Sequence, residues 1–169
     1  MKFTKKQIDR YSRQIILKKI GVIGQKKLLK SRVLIVGAGG LGSPIAIYLA
    51  ASGIGKIGII DKDNVEISNL NRQIIFANSD IKKSKSSIAI NKLRKINPDL
   101  KLQSFNKKLT AKNINQIAKN FDLIVDGSDN FRTRFLINDY CLENQKILIS
   151  GAISKFDGQV YTFNFSKKK

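Results

Sequence analysis

The sequence predicts a doubly wound α/β fold: a mainly parallel sheet with helices on both faces, preceded by an N-terminal helical arm. Three observations carry that prediction. Short apolar, β-branched runs alternate with helix-forming segments along the 169 residues, without an internal repeat. The first run, Val33-Leu34-Ile35-Val36, passes straight into Gly37-Ala38-Gly39-Gly40-Leu41-Gly42 and then into a segment rich in small apolar residues. Later runs end in Asp61 and in Asp126-Gly127-Ser128-Asp129-Asn130, turns at the strand ends where open parallel sheets take their ligands.

Taken in order, residues 1–30 form the arm and residues 31–169 the nucleotide-binding domain. Ile8, Tyr11, Ile15 and Ile16 recur at helical spacing among basic positions, and the pattern resumes over 26–30 after Gly21 and Gly24. Arg10 and Arg13 share a helix face, which on local grounds is a solvated basic one. After the strand over 33–36 comes a helix over 41–52, with Pro44 tolerated in its first turn and Gly53 as its C-cap. A strand over 56–60 ends on Asp61, with Asp63 close by. The polar loop Ser68-Asn69-Leu70-Asn71-Arg72-Gln73 and a mixed stretch over 74–80 lead to a helix over 84–96, opened by Lys82, Lys83 and Lys85 and stopped by Asn97-Pro98. A strand over 100–105, a helix over 111–119, a strand over 122–125, a helix over 131–143 and strands over 147–149 and 159–165 complete the series.

The glycine turn is where chemistry enters. Gly37, Gly39 and Gly42 fit the G-x-G-x-x-G spacing, with Gly40 as an extra glycine. Residues without side chains let the backbone bend sharply and approach a polyphosphate, while amides at the helix start face its negative charge. Asp61 lies at the separation of roughly 20 residues at which an acidic side chain hydrogen-bonds a nucleotide ribose.

Composition narrows the field. With 42% hydrophobic residues the chain is long enough for one α/β domain with a core. Nothing in it approaches the roughly 20 apolar residues of a membrane span, and the N-terminus has no hydrophobic signal core, so the expected location is the cytoplasm. A single cysteine, Cys141, gives no disulfide framework, and with no histidine any metal must sit on carboxylates, which points to magnesium. Cys141 falls inside the helix over 131–143, where a small buried hydrophobe is its expected role. The net charge of +20 is spread along the chain without interleaved aromatics, so a general attraction to anions is expected but nucleic acid is not the expected partner. Lys167-Lys168-Lys169 is too short to identify a basic tail.

Arg10-Tyr11-Ser12-Arg13-Gln14, the glycine turn, Asp61-Lys62-Asp63, Ser68-Asn69-Leu70-Asn71-Arg72-Gln73, Asn97-Pro98 and Ser128-Asp129-Asn130 occur together and in order. The set resembles the MoeB/ThiF/HesA family, the bacterial relatives of ubiquitin-activating enzymes, from residue 10 to about residue 163. The resemblance implies a Rossmann-like nucleotide-binding fold. It also implies an adenylyltransferase that uses ATP and magnesium to activate the C-terminal glycine carboxylate of a ubiquitin-like sulfur-carrier protein ending in Gly-Gly, releasing pyrophosphate. Residue by residue, it places Gly37, Gly39, Gly40 and Gly42 against the nucleotide and Asp61, with Asp63 beside it, at the ribose. Ser68, Asn69, Arg72 and Lys85 fall at the phosphates, and Asp129, with Asn130, at magnesium. Arg13 matches an arginine that reaches the phosphates from the other subunit of a homodimer. Ser84 replaces the usual proline before the lysine, a change bearing on the helix start.

These residue types suit the chemistry. Carrier carboxylate and ATP are both anionic, so attack at the α-phosphorus needs cations that offset repulsion and stabilise the charge building on the phosphate oxygens. A carboxylate is already an ionised nucleophile and needs no general base. The family's Cys-x-x-Cys pairs and crossover-loop cysteine do not occur in these residues, so zinc is expected only in a longer protein, and the chain is expected to be a fragment ending before those ligands. Molybdopterin and thiamine-thiazole synthesis both remain open as pathways, the spellings Arg10-Tyr11-Ser12-Arg13-Gln14 and Asp129-Asn130-Phe131-x-Thr133-Arg134 leaning slightly toward the ThiF-like side. So do a transfer-RNA threonylcarbamoyladenosine dehydratase-like relative, an NAD-dependent oxidoreductase and a non-catalytic dimerisation module.

Overall fold

The computed structural model describes residues 2–166, and the lysine run at 167–169 lies outside them. Its elements are α1 (Lys5–Ile15), α2 (Gly21–Lys30), β1 (Arg32–Val36), α3 (Gly42–Ser52), β2 (Lys56–Ile60), α4 (Lys85–Ile96), β3 (Lys101–Phe105), α5 (Ile114–Ala118), β4 (Leu123–Asp126), α6 (Phe131–Glu143), β5 (Ile147–Ser154) and β6 (Asp157–Asn164). Short 3-10 turns at Ile67–Asn69 and Asn78–Asp80 interrupt the long connection from β2 to α4. Among the described residues no helix is long and apolar enough to cross a membrane.

One sheet takes six strands in the order β3-β2-β1-β4-β5-β6. Every pairing is parallel except the last, in which β6 runs antiparallel to β5. Successive side chains of a strand point to opposite faces, so Val33 and Ile35 of β1 enter one core and Leu34 and Val36 the other. The first core packs Ala46 and Ala50 of α3 and Ala89, Ile90 and Leu93 of α4 on the sheet, and the second packs Ile114 and Ile117 of α5 with Ile137 and Cys141 of α6. A strand covered on both faces has no polar side, which is why β1 reads as an unbroken apolar run. The Rossmann-like α/β architecture is thus the one the alternating runs predict.

The arm is fastened to that sandwich by named contacts. Thr4 and Gln7 close a capping box at the start of α1. Tyr11 is 1% exposed, its ring lies against Gly53 at the left-handed C-cap of α3, and its hydroxyl accepts a hydrogen bond from Asn97 Nδ2 at 2.9 Å. Asn97 Nδ2 also donates to the Ala50 carbonyl at 2.9 Å, so the Asn97-Pro98 stop joins the ends of α3 and α4 to the arm. Arg10 Nη1 donates to the Ile96 carbonyl at 2.9 Å. Half of the expected basic face is therefore a helix C-terminal contact, while Arg13 is exposed.

Several boundaries differ from expectation, the largest shifts being at α2, α5 and β5. α2 starts at Gly21, so the two glycines lie inside the helix. α5 starts only at Ile114, because Asn113 accepts from Thr110 N and donates to the Lys108 carbonyl, both at 2.9 Å, and folds 108–113 into a turn. The strand expected over 147–149 runs on to Ser154: Ser150 and Gly151 pair with Tyr161 and Val160 across a hairpin whose tip is Lys155-Phe156, with Lys155 at φ 54°. β6 is exposed along its whole length, including Val160 at 76% and Tyr161 at 54%, and forms an open edge of the sheet.

Candidate active site

The C-terminal ends of β1, β2, β3 and β4 surround a cleft of about 240 Å³. It lies where the strand order reverses, with β1 between β2 and β4, the position at which parallel sheets open a crevice for ligands. Its floor is the glycine turn. Gly37 has φ +89°, and a Cβ there would come within 2.9 Å of the Gly127 carbonyl oxygen. A Cβ on Gly42 would lie 1.9 Å from the Gly37 carbonyl oxygen, so only glycine lets α3 start this close to β1. Gly39 and Gly40 line the cleft itself, whereas Gly42 is buried behind it.

Asp61 ties the floor to the β2 end. Its Oδ2 accepts from Ala38 N and its Oδ1 from Asp63 N, both at 2.8 Å, and the half-buried carboxylate lines the cleft with lone pairs to spare. Asp63 stands next to it, and its Oδ2 lies 3.9 Å from Lys85 Nζ. The Lys85 side chain is only 8% exposed, so an ammonium is held at the cleft wall largely stripped of water, with that carboxylate as its partner. Ser84, in place of a proline, caps α4 by accepting from Ser87 N, and so sets the helix start that aims Lys85.

Arg72 reaches the cleft from the connection between β2 and α4. Its Nη1 donates to the Ser68 carbonyl at 3.0 Å and to Asn71 Oδ1 at 3.1 Å, which orients the guanidinium, and a Cβ on Gly40 would lie 3.6 Å from its Cγ. Ser68 and Asn69 stand outside the cleft lining. Asn69 is 7% exposed and its Oδ1 accepts from Glu66 N at 3.1 Å, so in this geometry it shapes the turn that presents Arg72. Asp80 anchors the far side of the connection: it accepts from Ala77 N at 2.8 Å and pairs closely with Lys92 of α4. Burial alone would raise its pKa, but Lys92, the Ala77 amide and Lys83 together hold it below the usual carboxylate value.

The opposite wall is the β4–α6 turn. Asp129 is exposed, lines the cleft and accepts from Asn130 Nδ2 at 3.3 Å, while Asn130 Oδ1 caps α6 through Thr133 N at 3.0 Å. Arg134 donates to the Ser128 carbonyl at 2.7 Å. An adjoining cavity lined by Phe131, Arg134, Ile153 and Gln159 shares Asp129 with the cleft and opens toward the hairpin. Arg13, by contrast, is not among the residues that line the cleft of its own chain.

Gln73, Lys107, Lys108 and Leu109 also line the cleft, and none was singled out from the sequence as a site residue. Gln73 follows Arg72 and its spelling in the loop was the available signal. The lysines precede a turn and carried none. Cys141 is fully buried, and burial pushes its thiol up to about 12, which leaves it no thiolate at neutral pH.

The lining of the cleft suits a magnesium ion held by few protein ligands. Among the described residues no three His, Cys, Asp or Glu side chains gather as a metal cage. A single carboxylate such as Asp129, completed by nucleotide phosphates and water, is the usual setting of that ion.

The ThiF family model matches residues 11–169. The chain is 52% identical to the probable molybdopterin-synthase adenylyltransferase of Porphyra purpurea over 96% of its own length and 43% of the relative's. It is 43% identical to the sulfur carrier protein adenylyltransferase of Thermus thermophilus over 97% of its length and 60% of the relative's. The chain therefore spans about half the length of these curated relatives. Among solved structures, E. coli MccB with AMPCPP and MccA superposes with a TM-score of 0.85 at 27% identity, over 95% of this chain and 49% of that one. A glycine turn between β1 and α3, an acid at the end of β2, and a match across 11–169 lead to one assignment: the chain belongs to the ThiF family.

Proposed function

We propose that this chain is the adenylating core of an enzyme that activates the C-terminal carboxylate of a ubiquitin-like sulfur-carrier protein with ATP and magnesium. The observation that carries the reading is the placement of two cations, Arg72 and Lys85, across one cleft from the Asp129 carboxylate, above a floor of Gly37, Gly39 and Gly40. Support also comes from the names of the relatives, which describe adenylyltransferases of molybdopterin synthase and of a sulfur carrier.

In this reading the triphosphate lies on the glycine turn with its ribose hydroxyls on Asp61, and Gly37, Gly39, Gly40 and the start of α3 face its phosphates. The carrier's tail enters through the cavity between Phe131 and Ile153 that meets the cleft at Asp129. A carboxylate oxygen attacks the α-phosphorus, the bond to the bridging oxygen breaks, and pyrophosphate leaves, giving an acyl-adenylate. Arg72 and Lys85 offset the repulsion between the two anions and stabilise the leaving oxygens. Magnesium, held by Asp129 with Asn130 beside it, supplies further charge neutralisation on the phosphates. Arg13 joins from a second copy of the chain in a homodimer. The carrier's terminal Gly-Gly belongs to the same proposal on the family resemblance alone, and a place in molybdopterin synthesis is supported by the name of one relative.

Carrier-dependent exchange of pyrophosphate into ATP tests it. The wild-type chain, or the longer protein that contains it, should catalyse exchange only with carrier and magnesium, and Asp129→Ala should remove it. Exchange that is indifferent to the carrier, or NADH oxidation that survives Asp129→Ala, would overturn the reading.

A further inference from the structure

Asp126, the last residue of β4, is 1% exposed, and among the described residues no salt bridge reaches it. Its partners are neutral donors only. Oδ1 accepts from Ser128 N at 3.0 Å and from Ser128 Oγ at 2.6 Å, and Oδ2 accepts from Ser150 Oγ at 3.0 Å. In register it lies between Val36, the last residue before the glycine turn, and Ser150 of β5. A carboxylate buried without a cation is a costly way to close a turn. Its four lone-pair directions, however, can collect several donors from different segments, which an amide or hydroxyl cannot do as well.

We propose that Asp126 is a positioning residue for Asp129, acting through a strap that runs from Ser150 through Asp126 to Ser128. The two bonds to Ser128 fix the backbone immediately before Asp129. The bond to Ser150 locks that turn to β5, and Arg134 holds the Ser128 carbonyl from the other side. The carboxylate meant for magnesium is thereby aimed before any nucleotide arrives. Outer-sphere partners of this sort govern how well a metal ligand holds its ion. The inference rests on the magnesium-nucleotide reading of the cleft given above.

The test is calorimetric titration of the chain with ATP in EDTA and with ATP in magnesium chloride, alongside thermal unfolding. Asp126→Ala should weaken binding of the magnesium complex by about tenfold, within the range seen when an outer-sphere partner is lost, and leave metal-free ATP binding unchanged. Asp126→Asn keeps an acceptor for Ser128 and a donor for the Ser150 hydroxyl oxygen, so it should restore most of that loss. Ser150→Ala leaves Ser128 bonded and keeps the chain measurable if Asp126→Ala does not fold; it should cost the magnesium complex about threefold at a nearly unchanged melting temperature. Equal losses with and without magnesium, tracking a lowered melting temperature, would make the strap merely structural and overturn the proposal. Asp129→Ala separates the two readings. If it leaves magnesium-dependent binding intact, the reading of the cleft fails; if it removes that binding while Asp126→Ala and Ser150→Ala do not, only the strap fails.

Discussion

One wall of the cleft presents cations from a long excursion between β2 and the start of α4, whereas the other presents the Asp129 carboxylate from a turn of a few residues between β4 and α6. The cation wall is secured largely by charge: Asp80 with Lys92, and Asp63 with Lys85. The carboxylate wall is secured by neutral donors on buried Asp126 and by the arginine on the Ser128 carbonyl. Both walls converge on the same glycine floor. The difference implies that salt acts more on the wall that grips phosphate, because its partly exposed ion pairs are screened while the bonds on buried Asp126 are screened less.

The largest effect should come from removing the buried cation of the cleft wall. Lys85→Ala is expected to slow carrier-dependent pyrophosphate exchange by about 10²–10³-fold, as for loss of one transition-state donor. Lys85→Arg should rescue poorly, since the side chain is 8% exposed and a planar guanidinium fork does not replace a compact ammonium at a buried site. Next is the anchor. Lys92→Met leaves Asp80 buried without its cation and should lower stability by about 2 kcal/mol, less than a fully buried pair because Lys92 is 32% exposed. Thermal unfolding measures this, and a loss of ATP affinity in EDTA should accompany it.

Acid should also loosen the Asp80 anchor. Asp80 has a lowered pKa in the folded chain, so its contribution to stability is present above the ordinary carboxylate pKa of about 4 and is lost as pH falls through the lowered value. Asp122, lowered by its hydrogen bonds to Arg32 despite partial burial, adds a loss of the same sign at the opposite end of the sheet. The difference between wild type and Asp80→Asn across pH 7 to 3, read by melting temperature, isolates the anchor. The smallest effect is expected from Cys141→Ala, which removes one buried sulfur under the carboxylate wall at about 1 kcal/mol and leaves exchange unchanged. With its thiol pushed up to about 12, alkylation of the native chain at pH 8 should be slow, and fast labelling would contradict the burial.

Much of this was legible in the residues. The glycine turn, Asp61, Gly53 and the stop at Asn97-Pro98 announced themselves because backbone geometry there demands particular side chains. Arg72, Lys85 and Asp129 came only through resemblance: a lysine at a helix start or an aspartate in a turn looks the same whether or not it faces a cleft. Asp126 was read merely as the first residue of a turn, since its partner Ser150 lies on another strand and no local pattern joins them. The length of β5 and β6 was hidden for a related reason. Ser150-Gly151 resembles a break until cross-strand pairing with Tyr161 and Val160 holds it extended.

The open edge at β6 also governs how the chain behaves in a tube. Among the described residues no strand pairs with its outer side, and exposed Val160, Tyr161 and Phe163 flank a backbone on which another copy can add a strand. A net charge of +20 keeps copies apart in dilute buffer. Raising salt to molar levels shortens the reach of that repulsion to about 3 Å and leaves the edge unopposed. The chain should therefore stay dispersed at low ionic strength and precipitate as salt rises, with concentration and storage governed by colloid behaviour ahead of thermal denaturation.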